Sequence, residues 1–427
     1  MLAEFLNLFR PIVAVFAFLF RFWWIWAGPA FFMLFVLVWK SWRQQLYKTA
    51  VSWVLLELKF PREIEKSPKA MEQFFAVLHG VRNAPGDWME TYLDGEVTLW
   101  FSLEMMSIGG DTHLYIRTPV KHQKVVTANL YANYPMIEVE PAPDYMEKFA
   151  RTLSGLYARN LDIWGSELVL AKEDAYPIRT YIQYEGVEEA RSIDPIASML
   201  EVFRHLDRKE TVCVQILIRP AGDEWREKGL NLVKKLKIEG SKTIVGPLGE
   251  YTDRPIRTPG ETEVLKSIEI SISKSGYESL VRYIYIADKS VYNTNFAKRG
   301  TISAFNQHAD RSMNFFLHNN SIYTQTKWIN YPYFFPRQRA EGRKRRILEN
   351  YHERKMPEEM VLSRYLHARA LNFNTWQRTF VLNTEELATL FHPPTNLVMT
   401  GPLIKRVESK RMGPPASMPI FESDQSL

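Results

Sequence analysis

Residues 97–118 read VTLWFSLEMMSIGGDTHLYIRT. From residue 97 to residue 107 apolar side chains alternate with polar ones such as Ser102 and Glu104, which is typical of a β-strand with one buried face. Gly109-Gly110 supplies a turn, and residues 112–118 return as a second strand. The stretch therefore predicts a β-hairpin.

The elements around this hairpin predict the rest of a small α+β unit. Residues 53–60 (WVLLELKF) form a predicted strand, and apolar residues spaced three and four apart from Met71 to Leu78 predict a helix. After the hairpin come a helix around 125–130 and a short strand at 137–139. The order strand, helix, strand, strand, helix, strand indicates a ferredoxin-like unit, with helices on one face of an antiparallel sheet.

The same order returns further along the chain. A strand near Leu168 precedes a helix that opens at Asp194-Pro195, and residues 212–218 alternate as a strand. An insertion at 223–259 interrupts the pattern before another apolar helix and the strand at 281–287. We interpret this as a diverged duplication of the first unit.

The predicted fold class is α+β, with an N-terminal transmembrane helix or short hairpin, tandem ferredoxin-like units and a basic helical C-terminal region. The predicted domains are a membrane anchor at 1–50, the first ferredoxin-like domain at 51–150, the second α+β domain at 151–310, an aromatic and basic helical region at 311–411, and a flexible tail at 412–427.

The N-terminal region predicts attachment to a membrane. Residues 22–39 (FWWIWAGPAFFMLFVLVW) carry no charge, and 18 residues of helix reach about 27 Å, close to the hydrocarbon thickness of a bilayer. Gly28-Pro29 allows either one kinked span or a hairpin of two short helices. Lys40, Arg43 and Lys48 follow the apolar stretch, which favours a cytoplasmic C-terminal bulk. The expected location is the cell membrane.

Charge is concentrated near the C-terminus. The composition, with 46% hydrophobic and 13% aromatic residues, excludes a disordered chain, and the net charge is +6. Residues 337–411 contain 15 basic and 8 acidic residues, so the remainder is nearly neutral. Clustered cations of this kind bind nucleic-acid phosphates, anionic lipids or acidic proteins, or form a solvated helix face. The candidate binding residues are Arg337, Arg339, Arg343, Lys344, Arg345 and Arg346.

The sequence contains no recognisable catalytic motif. Gly240-Ser241-Lys242-Thr243 is only a fragment of a phosphate-binding loop, because the required upstream glycine is missing. The nine histidines are scattered, and the single cysteine, Cys213, alternates within a strand without an adjacent base. We therefore expect a protein that is not an enzyme and that uses no cofactor or metal.

Four segments carry a resemblance to a known family. They are WVLLELKFPREIEKSPKAMEQFFAVLHG, WFSLEMMSIGGDTHLYIRTP, ANLYANYPMIEVEPAPDY and FVLNTEELATLFHPP. Over about residues 39–394 the chain resembles membrane-anchored proteins of unknown function from candidate-phyla bacteria. It is also similar to the N-terminal part that precedes the motor in coupling-type ATPases of conjugative DNA transfer and type IV secretion. The present sequence has no nucleotide-binding loop, so no catalytic residue is carried over.

The resemblance implies a place beside a secretion or DNA-transfer machine. We expect a membrane-anchored scaffold or accessory subunit whose partners are the membrane, an ATPase acting in trans and other subunits of the apparatus. The alternative is a membrane-tethered DNA-binding module that uses the basic helix at 337–355.

Overall fold

The computed structural model describes residues 21–61, 66–184, 193–238, 242–246, 249–253, 257–326, 335–357 and 377–395. The chain divides into two compact units. The described residues of the first are 21–52 and 82–99, and the second contains the other described residues.

The first unit is built on one long helix, α1 (Trp23–Ala50). The helix continues through Gly28-Pro29, so those two residues do not form the turn of a hairpin. The first arm of that predicted hairpin lies outside the described residues. Among the described residues, α1 is the helix that is long and apolar enough to cross a membrane, and none of its most apolar window is buried. A π-helical turn, Glu90–Asp94, belongs to the same unit.

The second unit begins with the predicted order of strands and helices. Its first half consists of β1 (Trp53–Lys59), α2 (Lys69–His79), β2 (Phe101–Ile108), β3 (Asp111–Pro119), α3 (Gln123–Asn133) and β4 (Glu138–Pro141). The predicted hairpin is confirmed as β2 and β3, with both turn glycines at positive φ. Such backbone angles favour glycine because it has no Cβ.

The second half repeats this order with an insertion. It consists of α4 (Leu153–Ala158), β5 (Leu161–Leu170), α5 (Ala197–Arg204), β6 (Glu210–Pro220), α6 (Glu224–Ile238), β7 (Lys242–Gly246), β8 (Gly249–Asp253), α7 (Pro259–Ser273), β9 (Gly276–Asp288), α8 (Thr294–Asn306) and β10 (Phe316–His318). The C-terminal elements are α9 (Pro336–His352), β11 (Phe380–Asn383) and α10 (Thr384–Leu390). The tail predicted at 412–427 lies outside the described residues.

Both halves contribute to one antiparallel sheet. Its strand order is β10-β5-β9-β6-β2-β3-β1-β4, with β11 beside β9, while β7 and β8 form a separate hairpin. If the four strands of each half are numbered in chain order, their order across the sheet is 4-1-3-2 in both halves. These strands are β4, β1, β3 and β2 in the first half and β10, β5, β9 and β6 in the second. The two halves meet where β2 pairs with β6, from Phe101 opposite Ile218 to Ile108 opposite Thr211.

Helices cover both faces of the sheet. On one face α2, α3, α5, α8 and α10 enclose the larger core, which includes Leu103 and Met105 of β2. On the other face α4 and α9 pack over a second core, which includes Met106 and Cys213. The four helices that the predicted order places on one face, α2, α3, α5 and α8, do share that face, and α4 and α9, which are not part of that order, cover the other. The alternation in β2 arises because its polar side chains point toward a second buried layer rather than toward water.

A buried ionic row as the candidate functional site

Four neighbouring strands bring four buried polar side chains into one line on the face that α9 covers. Glu167 of β5 lies opposite Arg282 of β9, Arg282 lies opposite Gln215 of β6, and Gln215 lies opposite Glu104 of β2. All four residues are fully buried. We call these four residues the ionic row. It crosses the strands and passes through the junction between the two halves of the sheet.

Arg282 is the centre of one end of the row. Its Nε and Nη2 donate to Glu167 Oε1 at 3.0 and 2.9 Å, and its Nη1 donates to Gln215 Oε1 at 2.8 Å. Nη1 and Nη2 also reach the carbonyl oxygens of Asn350 and Lys355. Every N–H of the guanidinium can thus be directed at an acceptor, which buried arginine requires.

Glu104 is the centre of the other end. Arg354 donates from Nε and Nη2 to the two carboxylate oxygens of Glu104 at 2.9 and 3.1 Å. Ser102 Oγ and Tyr145 OH donate to the same carboxylate at 2.5 and 2.6 Å. Arg354 also pairs with Asp144, with Nη2 2.8 Å from Oδ1. One buried guanidinium therefore joins two carboxylates from different parts of the chain.

Glu104 and Arg354 are both charged in the folded protein. Burial would raise the pKa of Glu104, but the charge and hydrogen bonds of Arg354, with those of Ser102 and Tyr145, hold it below its usual value. Burial would lower the pKa of Arg354, but Glu104 and Asp144 raise it well above its usual value. The pair is ionic, and removing Arg354 would leave the charge of Glu104 uncompensated in the protein interior.

The row and its neighbours hold the C-terminal end of α9. The last carbonyls of a helix have no partner within it, and here Asn350 O accepts from Arg282 and Tyr351 O accepts from Gln215 Nε2 at 3.2 Å. Beyond the helix, Arg354 O accepts from Trp100 Nε1 at 2.9 Å. Cations at this end also interact favourably with the helix dipole. The row therefore fixes α9 and the residues after it to the sheet.

Arg354 adopts an unusual backbone conformation to reach the row. Its φ is +48°, in the left-handed region where helices often end on glycine. A residue with a Cβ costs about 1–2 kcal/mol there. The ion pairs with Glu104 and Asp144 offset that cost and explain why an arginine ends this helix.

The contacts of the row are those of a structural element. Each of its two carboxylates contacts a guanidinium, and Cys213, on the same face, has its pKa raised by burial and by the charge of Glu104. Glu167 Oε2 is buried without a hydrogen-bond partner among the described residues. In that part of the chain no group of three or more His, Cys, Asp and Glu residues has the arrangement of a metal site.

Comparison with known families accounts for most of the chain. The family described as "Domain of unknown function (DUF8128)" matches residues 38–403. The chain belongs to this family. The match contains every strand of the sheet, the ionic row and α9, whereas most of α1 precedes it. A search of curated proteins finds no match to this DUF8128 member.

Two of the basic residues predicted from the sequence point into this DUF8128 protein. Arg343 is buried and donates from Nη1 to the carbonyl oxygen of Tyr323 at 2.9 Å, and burial lowers its pKa to about 10. Lys344 Nζ lies 2.6 Å from Asp162 Oδ1, and 5.7 Å from the centre of the Tyr157 ring. Both cations are therefore engaged within the chain.

The other four candidate residues lie elsewhere on α9. Arg337 and Arg345 are exposed, and Arg345 is 3.9 Å from Glu349. Arg339 and Arg346 are half-buried. Of the aromatic residues that the sequence places before this helix, Phe335 is 64% exposed, while residues 327–334 lie outside the described residues. The exposed cations are thus fewer than the sequence suggests.

Sequence reasoning missed the row and Arg354 altogether. A signal is present, because each of the four strands carries one charged or amide residue within a mostly apolar run. These runs are FSLEMMS at 101–107, WGSELVL at 164–170, VCVQILI at 212–218 and LVRYIYI at 280–286. Charged residues are rarely buried unless they are paired, so four such runs in one chain indicate a buried network.

Proposed function

We propose that this protein is a non-enzymatic, membrane-anchored scaffold or accessory subunit of a type IV secretion-like or conjugative DNA-transfer apparatus. The observation that carries the scaffold role is the ionic row. Its carboxylates are engaged by Arg282 and Arg354, and those arginines also bind backbone carbonyls of the α9 region. Groups committed in this way hold elements in place, whereas a catalytic acid or base must reach a substrate.

The place in a transfer apparatus is supported by the resemblance to the part that precedes the motor in coupling-type ATPases. The chain has no phosphate-binding loop, so in this proposal an ATPase acts in trans. The length and apolar composition of α1 support a single membrane pass. Lys40, Arg43 and Lys48 at its C-terminal end support a cytoplasmic location for the bulk of the chain.

The proposed scaffold consists of two ferredoxin-like units related by duplication. The equal strand order in the two halves, β4-β1-β3-β2 and β10-β5-β9-β6, supports this description. The test is an alignment of residues 53–141 with residues 161–318 across many DUF8128 members. Duplication predicts matching apolar positions in corresponding strands, and an alignment no better than that of shuffled sequences would contradict it.

The function is tested by purifying the full-length protein from its own membranes in mild detergent, with and without nuclease. We expect a secretion-type ATPase or other apparatus subunits to co-purify and to survive nuclease treatment. Co-purification of no apparatus subunit from untreated membranes would contradict the proposal.

The alternative function, a membrane-tethered DNA-binding module, is favoured by the exposure of Arg337 and Arg345 on α9. It predicts DNA binding that falls steeply with added salt and is similar for unrelated sequences. Arg337→Glu with Arg345→Glu should then abolish binding, whereas Lys234→Glu with Lys235→Glu, an exposed pair on α6, should preserve it. Equal binding by both variants, or no binding at low salt, would exclude this alternative.

A further inference from the structure

A short segment beside α1 has the features of a membrane contact. Residues 87–94 (DWMETYLD), here called the collar, form a short helical segment that includes the π-helix Glu90–Asp94. Trp88 and Tyr92 are four residues apart, as are Met89 and Leu93. A π-helical turn is slightly wider than an α-helical one, so both pairs share one side of the collar. The remaining positions carry the acidic residues Asp87, Glu90 and Asp94 and the polar Thr91.

The collar is attached to α1 by specific contacts. Trp39 Nε1 donates to the carbonyl oxygen of Tyr92 at 2.8 Å, and Arg43 Nε donates to the carbonyl oxygen of Leu93. Lys40 Nζ lies 5.4 Å from the centre of the Tyr92 ring. These bonds fix the collar against residues 39–43 of the helix.

Gly95 allows the chain after the collar to approach α1 closely. Its φ is +70°, and a Cβ there would lie 2.4 Å from the carbonyl carbon of Arg43. No side chain fits at that distance, so the position requires glycine. The close approach is a built feature of this unit rather than an incidental contact.

The collar lies where the apolar part of α1 ends. The uncharged stretch 22–39 is followed by Lys40, Trp42 and Arg43, the residue types that occur at the boundary between hydrocarbon and headgroups. Since the collar contacts residues 39–43, it lies at that same level along the helix.

The collar leaves its large apolar side chains uncovered. Trp88 is 66% exposed, Met89 is 49% exposed and Leu93 is 41% exposed. Contiguous exposed apolar residues of this kind indicate a binding surface. Beside a helix of membrane-spanning composition, the occupant that fits an amphipathic turn with tryptophan on its apolar side is the bilayer interface.

We propose that the collar is a second, non-spanning membrane contact, in which Trp88, Met89 and Leu93 insert into the interface of the bilayer beside α1. This inference rests on the membrane anchoring in the proposed function. The proposed contact would also fix the depth of α1 in the bilayer, because the collar is attached to residues 39–43 of the helix.

The test measures depth in the full-length protein reconstituted in vesicles of phosphatidylcholine and phosphatidylglycerol. A nitroxide label is placed at Phe31→Cys, Met89→Cys or Asp94→Cys, each with Cys213→Ala. Collision with oxygen and with a water-soluble nickel complex then reports depth. All three positions are exposed, so labelling should not disturb the fold.

We expect the label at position 31 to lie deep in hydrocarbon and the label at position 94 to behave as in water. The label at position 89 should show an oxygen-to-nickel collision ratio several-fold above that at position 94. A water-like label at 89 with a deep label at 31 would overturn this inference and leave the anchor standing. A label at 89 shielded from both reagents would mean that protein covers the collar, which also overturns it. A water-like label at 31 would overturn the anchoring itself.

Discussion

Arg354 and Glu104 form a two-point ion pair that joins positions 250 residues apart in the chain, with Nε and Nη2 of the arginine 2.9 and 3.1 Å from the two carboxylate oxygens. Glu104 belongs to β2, in the first half of the sheet, and Arg354 follows α9. The pair therefore attaches the residues after α9 to β2, in the first half of the sheet. Interactions between residues so distant in sequence form only when the sheet is assembled.

Arg354→Met should destabilise the protein by about 3–5 kcal/mol, because it leaves the Glu104 charge buried without its cation. The deficit should shrink toward pH 5, since the pKa of Glu104 rises when Arg354 no longer holds it down. The measurement is denaturant unfolding of the full-length protein in detergent.

Arg345→Met is the control for this prediction. Arg345 is exposed, and its ion pair with Glu349 is long, at 3.9 Å. It should change stability by less than about 0.5 kcal/mol. Equal effects of the two substitutions would contradict the importance of the buried pair.

Gly165→Ala should destabilise the packing of α9 on β5 by about 1–3 kcal/mol. A Cβ at this position would lie 2.8 Å from Ile347 Cδ1 and 3.0 Å from the carbonyl oxygen of Tyr283. Ile347→Val removes the closer atom, so the double variant should recover part of the loss in thermal unfolding. A double variant whose loss is the sum of the two single losses would argue against this contact.

Asn383→Ala should lower the free energy of unfolding by about 2 kcal/mol, the upper end for a helix N-cap. Asn383 Oδ1 accepts from Glu386 N at 2.9 Å, and its Nδ2 donates to Ser271 Oγ at 3.1 Å, all in a buried setting. Thr258→Ala removes the matching but exposed cap of α7 and should cost about 1 kcal/mol or less. A larger loss of unfolding free energy in Thr258→Ala than in Asn383→Ala would show that burial of the cap does not determine the size of the loss.

His308 should contribute a loss of stability as pH falls from 6.5 toward 4. Burial, with the charge of His392 nearby, lowers the pKa of His308 to about 3, so the unfolded chain binds this proton first. The contribution of His308 is complete above its ordinary pKa of 6.5 and is lost as pH falls toward 3. Burial also lowers the pKa values of His122, His318 and His352, which act in the same direction.

His308→Leu should remove about 2–3 kcal/mol of acid-induced loss from the difference in unfolding free energy between pH 7 and pH 4.5. The measurement compares denaturant unfolding of the full-length protein in detergent at the two pH values. His205→Leu, at an exposed position, should leave that loss nearly unchanged. The same acid sensitivity in His308→Leu as in the wild type would rule out His308 as a source of it.

Local patterns predicted many elements correctly. The alternation at 212–218 lies within β6, and the spacing from Met71 to Leu78 gives the buried side of α2. These features depend on residues within a few positions of one another, and the sequence displays such neighbours directly.

Other features could not be read from local patterns. The basic helix predicted at 337–355 is found at Pro336–His352, but Arg343 and Lys344 face the protein. Whether a cation on a helix meets water or a distant carboxylate depends on what packs against that side. Asp162, the partner of Lys344, is 182 residues away in sequence.

The sequence by itself determined the alternating strands, the helices with one apolar side and the apolar composition of α1. It did so because these properties follow from neighbouring residues and from the residue types present. Only the tertiary structure decided that Glu167, Arg282, Gln215 and Glu104 lie side by side, since that requires the registers of three strand pairings at once. A buried charge is stable only with its partner, and the partner is supplied by the assembled sheet and α9.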